Sequence, residues 1–254
     1  MPGNEFHSTA CLGIVLAQDN TRGIIGLAPK AKGAIVSSLK PSLSDAFVLS
    51  VGFLQAGDVL LIEEQTSEGK PVEMDPHLAL LIHTLTLLGI VVIEPAGNGF
   101  GGVGHDLDLQ LRSDGTSLDR TTPMFFDSGA ILVGARHALI SRSRMPFSCF
   151  GNRVDCHCWG EGIVTTSSVS GPFGPYMGLN PAGGDAGFGG TSGASAIIAG
   201  AAIVLQGIAR DQETPLNPSA MRALLSGPFN TTSDNPAVDR IGVMPNLKEA
   251  INHI

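Results

Sequence analysis

The sequence predicts one α/β domain over residues 1–254, a three-layer sandwich whose central sheet is mostly parallel. Apolar segments alternate between helical and strand periodicity, which is typical of βαβ units. Gly, Ala, Val, Ile and Leu supply most of the apolar residues, and their small side chains suit closely packed parallel strands. A chain of 254 residues is also long enough for one large, well-buried core.

The periodicity places the elements along the chain. Helices are predicted at residues 7–18, 42–55, 76–88, 191–209, 218–225 and 246–253. Strands are predicted at residues 32–39, 58–65, 90–93 and 128–134, with one or two short strands inside 149–166.

Local signals support several of these elements. Gly89 ends the third helix before a β-branched run at residues 90–93, as expected for a buried parallel strand. The helix at 191–209 is apolar on nearly every side, so it must be buried. Asn217 is a predicted N-cap for the helix that follows it. The last two helices are expected to cover a sheet face.

Composition excludes two classes of function. The net charge is −8 and no Lys/Arg cluster occurs, so the chain lacks the basic face that a nucleic-acid partner requires. The apolar stretch at residues 78–95 is interrupted by His83, two threonines and Glu94, and no transmembrane helix is predicted. Residues 1–5 also lack the basic start of a signal peptide.

The four cysteines do not predict a metal or redox motif. Cys11, Cys149, Cys156 and Cys158 fit neither a zinc spacing nor CxxC, which favours buried free thiols. A disulfide from Cys149 to Cys156 or Cys158 stays open as an alternative. The histidines other than His7 show no i, i+4 pair and are interpreted as structural or surface residues.

Three segments carry chemistry. The first is a helix start at residues 7–14, HSTACLGI, followed by GIIGLAP at 23–29. The second is EPAGNG at 94–99, directly after a predicted strand, and the third is FGGTSGAS at 188–195, which opens the buried helix. A serine at such a helix start lies at the positive end of the helix dipole.

These motifs, in this order, resemble the subtilisin-like serine peptidases from their catalytic histidine onward. The resemblance covers essentially the whole chain, including residues 152–155, 159–161 and 241–247. It implies a serine endopeptidase with Ser192 as nucleophile, His7 as general base and Asn98 as side-chain donor of the oxyanion hole. Each role suits its residue, because a hydroxyl needs a base to take its proton and a tetrahedral intermediate carries negative charge.

The chain departs from the family pattern. Ser8 and Ala196 replace a usual glycine and proline, and both fit the first turns of a helix. The family's catalytic aspartate lies upstream of the histidine, and residues 1–6 cannot contain it. Neither Glu5, Asp45 nor Asp58 is expected to substitute.

Loss of the aspartate is expected to lower turnover by about 10⁴. We therefore expect the chain to be truncated from a longer enzyme or to be a degenerate paralogue, with exposed sheet edges.

The resemblance also implies ligands. An extended polypeptide substrate would add to a sheet edge between residues 62–65 and the loop containing Ala96, Gly97 and Gly99. Glu63, Glu64 or Glu68 would favour basic side chains there, although solvent-facing charge is their commoner role.

No cofactor is required by this reading, but the turn at residues 18–24 is similar to the family's calcium turn, with Asn20 as a ligand. A propeptide or inhibitor is a further implied partner. The family resemblance alone suggests an extracellular location.

Two other interpretations remain. Residues 97–102 satisfy GxGxxG after a strand, which suggests dinucleotide binding, but no helix is predicted to follow. The missing aspartate keeps a second alternative open, namely a peptidase-like domain that binds peptides without turnover.

Overall fold

The computed structural model describes residues 3–21, 23–37, 42–138, 141–166, 176–177 and 187–254. The helices are α1 (Gly3–Leu16), α2 (Leu43–Ser50), α3 (Pro76–Leu87), α4 (Gly190–Asp211), α5 (Pro218–Ser226), α6 (Pro236–Asp239) and α7 (Leu247–Ile251). The strands are β1 (Val59–Leu61), β2 (Val91–Pro95), β3 (Ile131–Arg136), β4 (Cys156–Trp159), β5 (Thr165–Thr166), β6 (Tyr176–Met177), β7 (Thr231–Thr232) and β8 (Val243–Met244).

The central sheet confirms the predicted fold class. Its strand order is β1-β2-β3-β4-β8-β7, and every pairing from β1 to β8 is parallel, whereas β7 pairs antiparallel with β8. Strands β5 and β6 form a separate antiparallel pair. Because strand side chains alternate between faces, neighbouring residues of β2 enter different cores. Val91 and Ile93 pack with α1 and α4, whereas Val92 packs with α2 and α3.

Most predicted elements form, with shifted ends. The predicted helix at 42–55 stops at Ser50, and its start carries a capping box between Ser42 and Asp45. Helices α5 and α7 begin after the N-caps Asn217 and Asn246. The strand predicted at 58–65 is shorter, although the Ile62 N–H still reaches the Ile93 carbonyl at 2.9 Å.

The predicted strand at 32–39 does not form over its described part, 32–37. Ile35 is 65% exposed there, so this segment has no packed face to hold it as a strand. Residues 38 and 39 lie outside the described residues.

Helix α4 is deeply buried in the core. It spans 22 residues and packs against α1 and strands β1–β4. By length and apolar composition it could cross a membrane, but 72% of its most apolar stretch is buried inside the protein. The small residues of its sequence allow this close approach on several sides. It is thus the core helix that the sequence predicted.

The cysteines are free thiols. Cys11, Cys149, Cys156 and Cys158 are all buried and unbridged. This result confirms the default interpretation and removes the disulfide alternative. Burial raises the pKa of each of these thiols.

A buried ion network lies at the amino ends of β3 and β4. The Arg153 guanidinium is fully buried and contacts Glu73 at 2.9 Å and Asp155 at 2.8 Å. Arg112 extends the network, since its Nε donates to the Glu73 carbonyl at 2.5 Å. Burial alone would raise the pKa of Asp155, but the charges of Arg153, Arg222 and Arg120 hold it below its usual range.

We predict that Arg153→Met destabilises the fold strongly. Removing one partner leaves buried carboxylates without their cation, which costs about 3–5 kcal/mol of the free energy of unfolding. Arg142→Met is the matched control, because Arg142 and Asp234 form an exposed pair expected to contribute only about 0–1 kcal/mol. Urea denaturation of both variants measures the difference, and equal losses would contradict the assignment.

Candidate active site

The predicted site residues converge where parallel strands end. Glu63 follows β1, Asn98 follows β2, and Ser192 lies in the first turn of α4. The carboxyl ends of parallel strands and a helix N-terminus meet here, which is the usual location of a site in an open α/β sheet. His7 reaches the same place from α1, which packs against α4.

Asn98 is tied to the start of α4. Its Oδ1 accepts hydrogen bonds from the Thr191 N–H at 2.8 Å and from the Thr191 hydroxyl at 3.1 Å. Helix N-termini leave N–H groups without intrahelical partners, and Asn98 satisfies one of them. The amide is thereby fixed beside the residue that precedes Ser192.

His7 lies within α1 and not at its start, because the helix begins at Gly3. Its ring packs edge-on against Phe188 with a centroid distance of 5.5 Å. Burial lowers the pKa of His7 from its ordinary value, and the charge of Glu64 partly opposes this effect. The imidazole is therefore mainly neutral at pH 7.

Glu63 links the other groups. Its Oε2 lies 3.9 Å from Nε2 of His7, and its Oε1 lies 3.1 Å from the Ser195 hydroxyl. The Ser192 side chain and the Cys11 thiol also lie near enough to this carboxyl group to lower its pKa. The expectation that Glu63 faces solvent is wrong, since only 18% of its side chain is exposed.

The surroundings of Glu63 favour its protonated form. Burial raises its pKa to about 8, despite the nearby polar groups of Cys11, Ser192 and Ser195. The Ser195 hydroxyl lies 3.1 Å from Glu63 and 2.9 Å from the Ser192 carbonyl. One hydroxyl hydrogen cannot serve both contacts. A protonated Glu63 that donates to Ser195, which in turn donates to Ser192, satisfies both.

The other residues predicted to bind substrate lie around this cluster. Ala96 is fully buried behind β2, and its N–H donates to the Val133 carbonyl at 2.8 Å. Gly97 has φ of +98°, and a Cβ there would meet the Gly69 carbonyl oxygen at 2.2 Å. Only glycine fits such a position. Gly99 donates to the same carbonyl at 2.9 Å.

Glu64 and Glu68 differ in position from Glu63. Glu64 is half-buried and acts on His7 through its charge. Glu68 is 68% exposed and pairs with Lys70 at 2.7 Å, so its side chain belongs to the surface.

The glycines at 97–102 do not open a helix. The chain instead makes a turn with a bridge between Phe100 and Val103, and the next helical segment is the short 3₁₀ turn Leu107–Leu109. A dinucleotide fingerprint requires a helix directly after the glycines. The structure therefore gives no support to the dinucleotide interpretation.

The turn expected to bind calcium lies beside an apolar cavity. Asn20 helps to line this cavity of about 450 Å³, together with Leu12, Leu16 and Ile35. Calcium takes 6–8 oxygen ligands, which include backbone carbonyls as well as side chains such as Asn20. Arg22 lies outside the described residues, and calcium at Asn20 stays a prediction.

Sequence reasoning missed the central position of Glu63 and the presence of Cys11 and Ser195. Two of these had a usable signal, because Cys11 is four residues from His7 and Ser195 is three residues from Ser192. Residues at such spacings share a helix face. Glu63 had no comparable signal, since its distance from His7 depends on how β1 packs beside α1.

Comparison with known proteins gives a structural likeness only. No protein-family model matches the sequence, and no curated protein is detectably related to it. The self-cleaved protease domain of PatA is similar, with a TM-score of 0.65 and 19% identity over 97% of this chain and 82% of that one.

Two further solved structures of proteases are similar to this chain. The prenylagaramide maturation protease PagA has a TM-score of 0.62 and 19% identity, covering 98% of this chain and 82% of that one. A cold-adapted subtilisin-like serine proteinase has a TM-score of 0.60 and 18% identity, covering 94% and 72%. The chain therefore has the fold of the subtilisin-like serine proteases.

Proposed function

We propose that this chain is a serine-type endopeptidase in which Ser192 is the nucleophile, His7 the general base and Asn98 the oxyanion donor. One observation carries the proposal: the Glu63 carboxyl group lies 3.9 Å from His7 and is linked through the Ser195 hydroxyl to the Ser192 carbonyl, while Asn98 is bonded to Thr191, the residue before Ser192. The three proposed residues thus lie in one region at the carboxyl end of the sheet. The protease fold adds support but does not assign the roles.

The proton path follows from the state of His7. A serine hydroxyl is a weak nucleophile at neutral pH and must lose its proton as it attacks the peptide carbonyl. His7 is mainly neutral at pH 7 because burial lowers its pKa, so the imidazole can accept that proton. It then passes the proton to the leaving amine as the acyl-enzyme forms.

Asn98 suits the oxyanion role because of how its amide is held. Its Oδ1 is occupied by the N–H and hydroxyl of Thr191, which leaves Nδ2 as the group that can donate. The Ser192 N–H, in the first turn of α4, would provide a second donor. The positive end of the α4 dipole also favours negative charge at this point.

Glu63 would assist the same step. When His7 takes the proton of Ser192, a positive imidazolium stands 3.9 Å from the Glu63 carboxyl group. Opposite charge at this distance favours the ionised carboxylate. In molecules whose Glu63 is already ionised, this carboxylate would stabilise the imidazolium, a task usually given to the aspartate of a triad.

The substrate would be an extended polypeptide. Strand β1 is the end strand of the described central sheet, and Asn98 and Glu63 lie beyond the ends of neighbouring strands. A peptide can therefore add along β1 and reach Ser192. PatG, a structural neighbour with a TM-score of 0.62 and 16% identity, was solved as a macrocyclase in complex with peptide. A propeptide or inhibitor would occupy the same groove.

We predict that a fluorophosphonate probe labels the protein covalently at Ser192. The label should disappear in Ser192→Ala and in His7→Ala, because phosphonylation needs both the nucleophile and its base. Intact-mass and peptide-mapping mass spectrometry locate the label. Ser226→Ala is the matched control, since Ser226 is a helical serine of α5 whose hydroxyl bonds to the Arg222 carbonyl, outside the Glu63 cluster.

The same experiment tests the alternative of a binding domain. If a sample that is folded by circular dichroism takes up no label, while binding extended peptides, the chain is a peptidase-like domain without turnover. Labelling that persists in His7→Ala would remove His7 from the proposed mechanism.

We predict that Asn98→Ala lowers kcat by about 10²–10³ with little change in KM, as for loss of the corresponding type of donor in subtilisin. The same change uncaps the Thr191 N–H and should cost about 0.5–2 kcal/mol of stability. Steady-state hydrolysis of a chromogenic peptide, measured well below Tm, separates the two effects. A rise in KM with unchanged kcat would indicate substrate binding instead.

We predict that the high pKa of Glu63 makes stability depend on pH. The folded pKa of about 8 exceeds the ordinary value of 4.5, so the folded protein keeps a proton that the unfolded chain loses. The free energy of unfolding should therefore fall between about pH 5 and pH 8, at about 1.4 kcal/mol for each pKa unit as an upper limit.

Glu63→Gln should remove most of this dependence. Urea denaturation at pH 5 and pH 8 provides the measurement. Glu64→Gln controls for the loss of one negative charge, and an equal effect of both variants would show that Glu63 is not the group responsible.

A further inference from the structure

Three metal-binding side chains meet at the candidate active site. Donor atoms of His7, Cys11 and Glu63 all lie within 4.8 Å of one another. His7 and Cys11 are four residues apart on α1 and share one face of that helix. Glu63 approaches the same face from the end of β1.

The spacing of these donors is close to that of a tetrahedral zinc site. Zinc binds nitrogen and oxygen at about 2.0–2.2 Å and thiolate sulfur at about 2.3 Å, which places ligand atoms roughly 3.3–3.7 Å apart. Nε2 of His7 and Oε2 of Glu63 are already 3.9 Å apart. Side-chain rotations that move each donor by about 1 Å or less would close the site.

One oxygen of the Glu63 carboxyl group is available as a metal ligand. Oε1 of Glu63 lies against Ser195, whereas the buried Oε2 has no hydrogen-bond partner. A buried polar atom without a partner is costly and calls for an explanation. A cation held between Oε2 and the ring of His7 supplies one.

The chemistry of the three donors selects zinc over calcium or magnesium. Thiolate and imidazole are ligands for zinc, whereas calcium and magnesium prefer oxygen. One thiolate and one carboxylate would also balance the charge of a divalent ion in a buried place. His7 provides the route in, because 36% of its side chain is exposed.

We propose that His7, Cys11 and Glu63 form a zinc site, and that zinc bound there inhibits the enzyme reversibly by occupying the imidazole. Three protein ligands leave a fourth position for water. The statement that zinc inhibits the enzyme rests on the proposed function, since zinc can inhibit only where His7 serves as the base. The statement that zinc binds at these three residues does not depend on the proposed function.

Binding can be measured without any assay of activity. Cobalt(II) replaces zinc in such sites and reports a thiolate ligand by a charge-transfer band in the near ultraviolet. We expect the reduced protein to bind one cobalt ion with this band and zinc to displace it. A chromophoric chelator in competition with zinc then gives the affinity.

Cys11→Ala is the decisive variant, because it removes the thiolate and leaves the proposed catalytic residues in place. The cobalt band should vanish, and zinc affinity should fall by more than the about 10–100-fold that loss of an outer-sphere partner causes. Cys158→Ala is the matched control, since Cys158 is equally buried, at 3% exposure, and is not part of the cluster. It should keep the band and the affinity.

Zinc should also suppress fluorophosphonate labelling of the unmodified protein and of Cys158→Ala, but not of Cys11→Ala. Absence of the band in the unmodified protein, or its persistence in Cys11→Ala, would overturn the site. If the protein binds zinc and shows the cobalt band but is never labelled by the fluorophosphonate, the metal site is upheld and the peptidase function is rejected. Circular dichroism on each variant ensures that a lost band reports a lost ligand.

Discussion

The burial of helix α4 is the constraint on which the remaining structure depends. This helix packs against α1 and four parallel strands, so its start is fixed at the carboxyl ends of β1 and β2. A buried helix start needs partners for its N–H groups. The Gly160 carbonyl and the Asn98 side chain supply two of them. The same packing that stabilises the core therefore places Ser192 beside Asn98.

The buried carboxyl groups of Asp155 and Glu63 have pKa values shifted in opposite directions. At the amino end of β4, Asp155 is paired with Arg153 and Arg222, and the pKa of Asp155 is lowered. Around Glu63, the described contacts are hydroxyls, a thiol and the imidazole of His7. Without a permanent cation close by, burial dominates and the pKa of Glu63 rises to about 8. The first arrangement suits stability, whereas the second suits proton transfer or metal binding.

Structural likeness to subtilisin-like proteases at 16–19% identity establishes the fold and leaves the roles to local geometry. In this chain the carboxyl group facing His7 comes from the end of β1. A glutamate there reaches Nε2 of His7 and the polar side chains of Cys11, Ser192 and Ser195 together. His7, Cys11 and the start of α4 thus lie around one carboxyl group.

The sequence by itself determined the fold class and most helices, and it singled out His7, Asn98 and Ser192 as candidates, because periodicity and short motifs are local properties. It could not set strand ends or show that residues 32–37 stay irregular, since a strand exists only with a partner. Only the tertiary structure decided that Glu63 is buried beside His7 and Cys11. That position depends on the packing of β1 beside α1 and α4, and neither burial nor the resulting pKa can be read from a glutamate's neighbours in sequence.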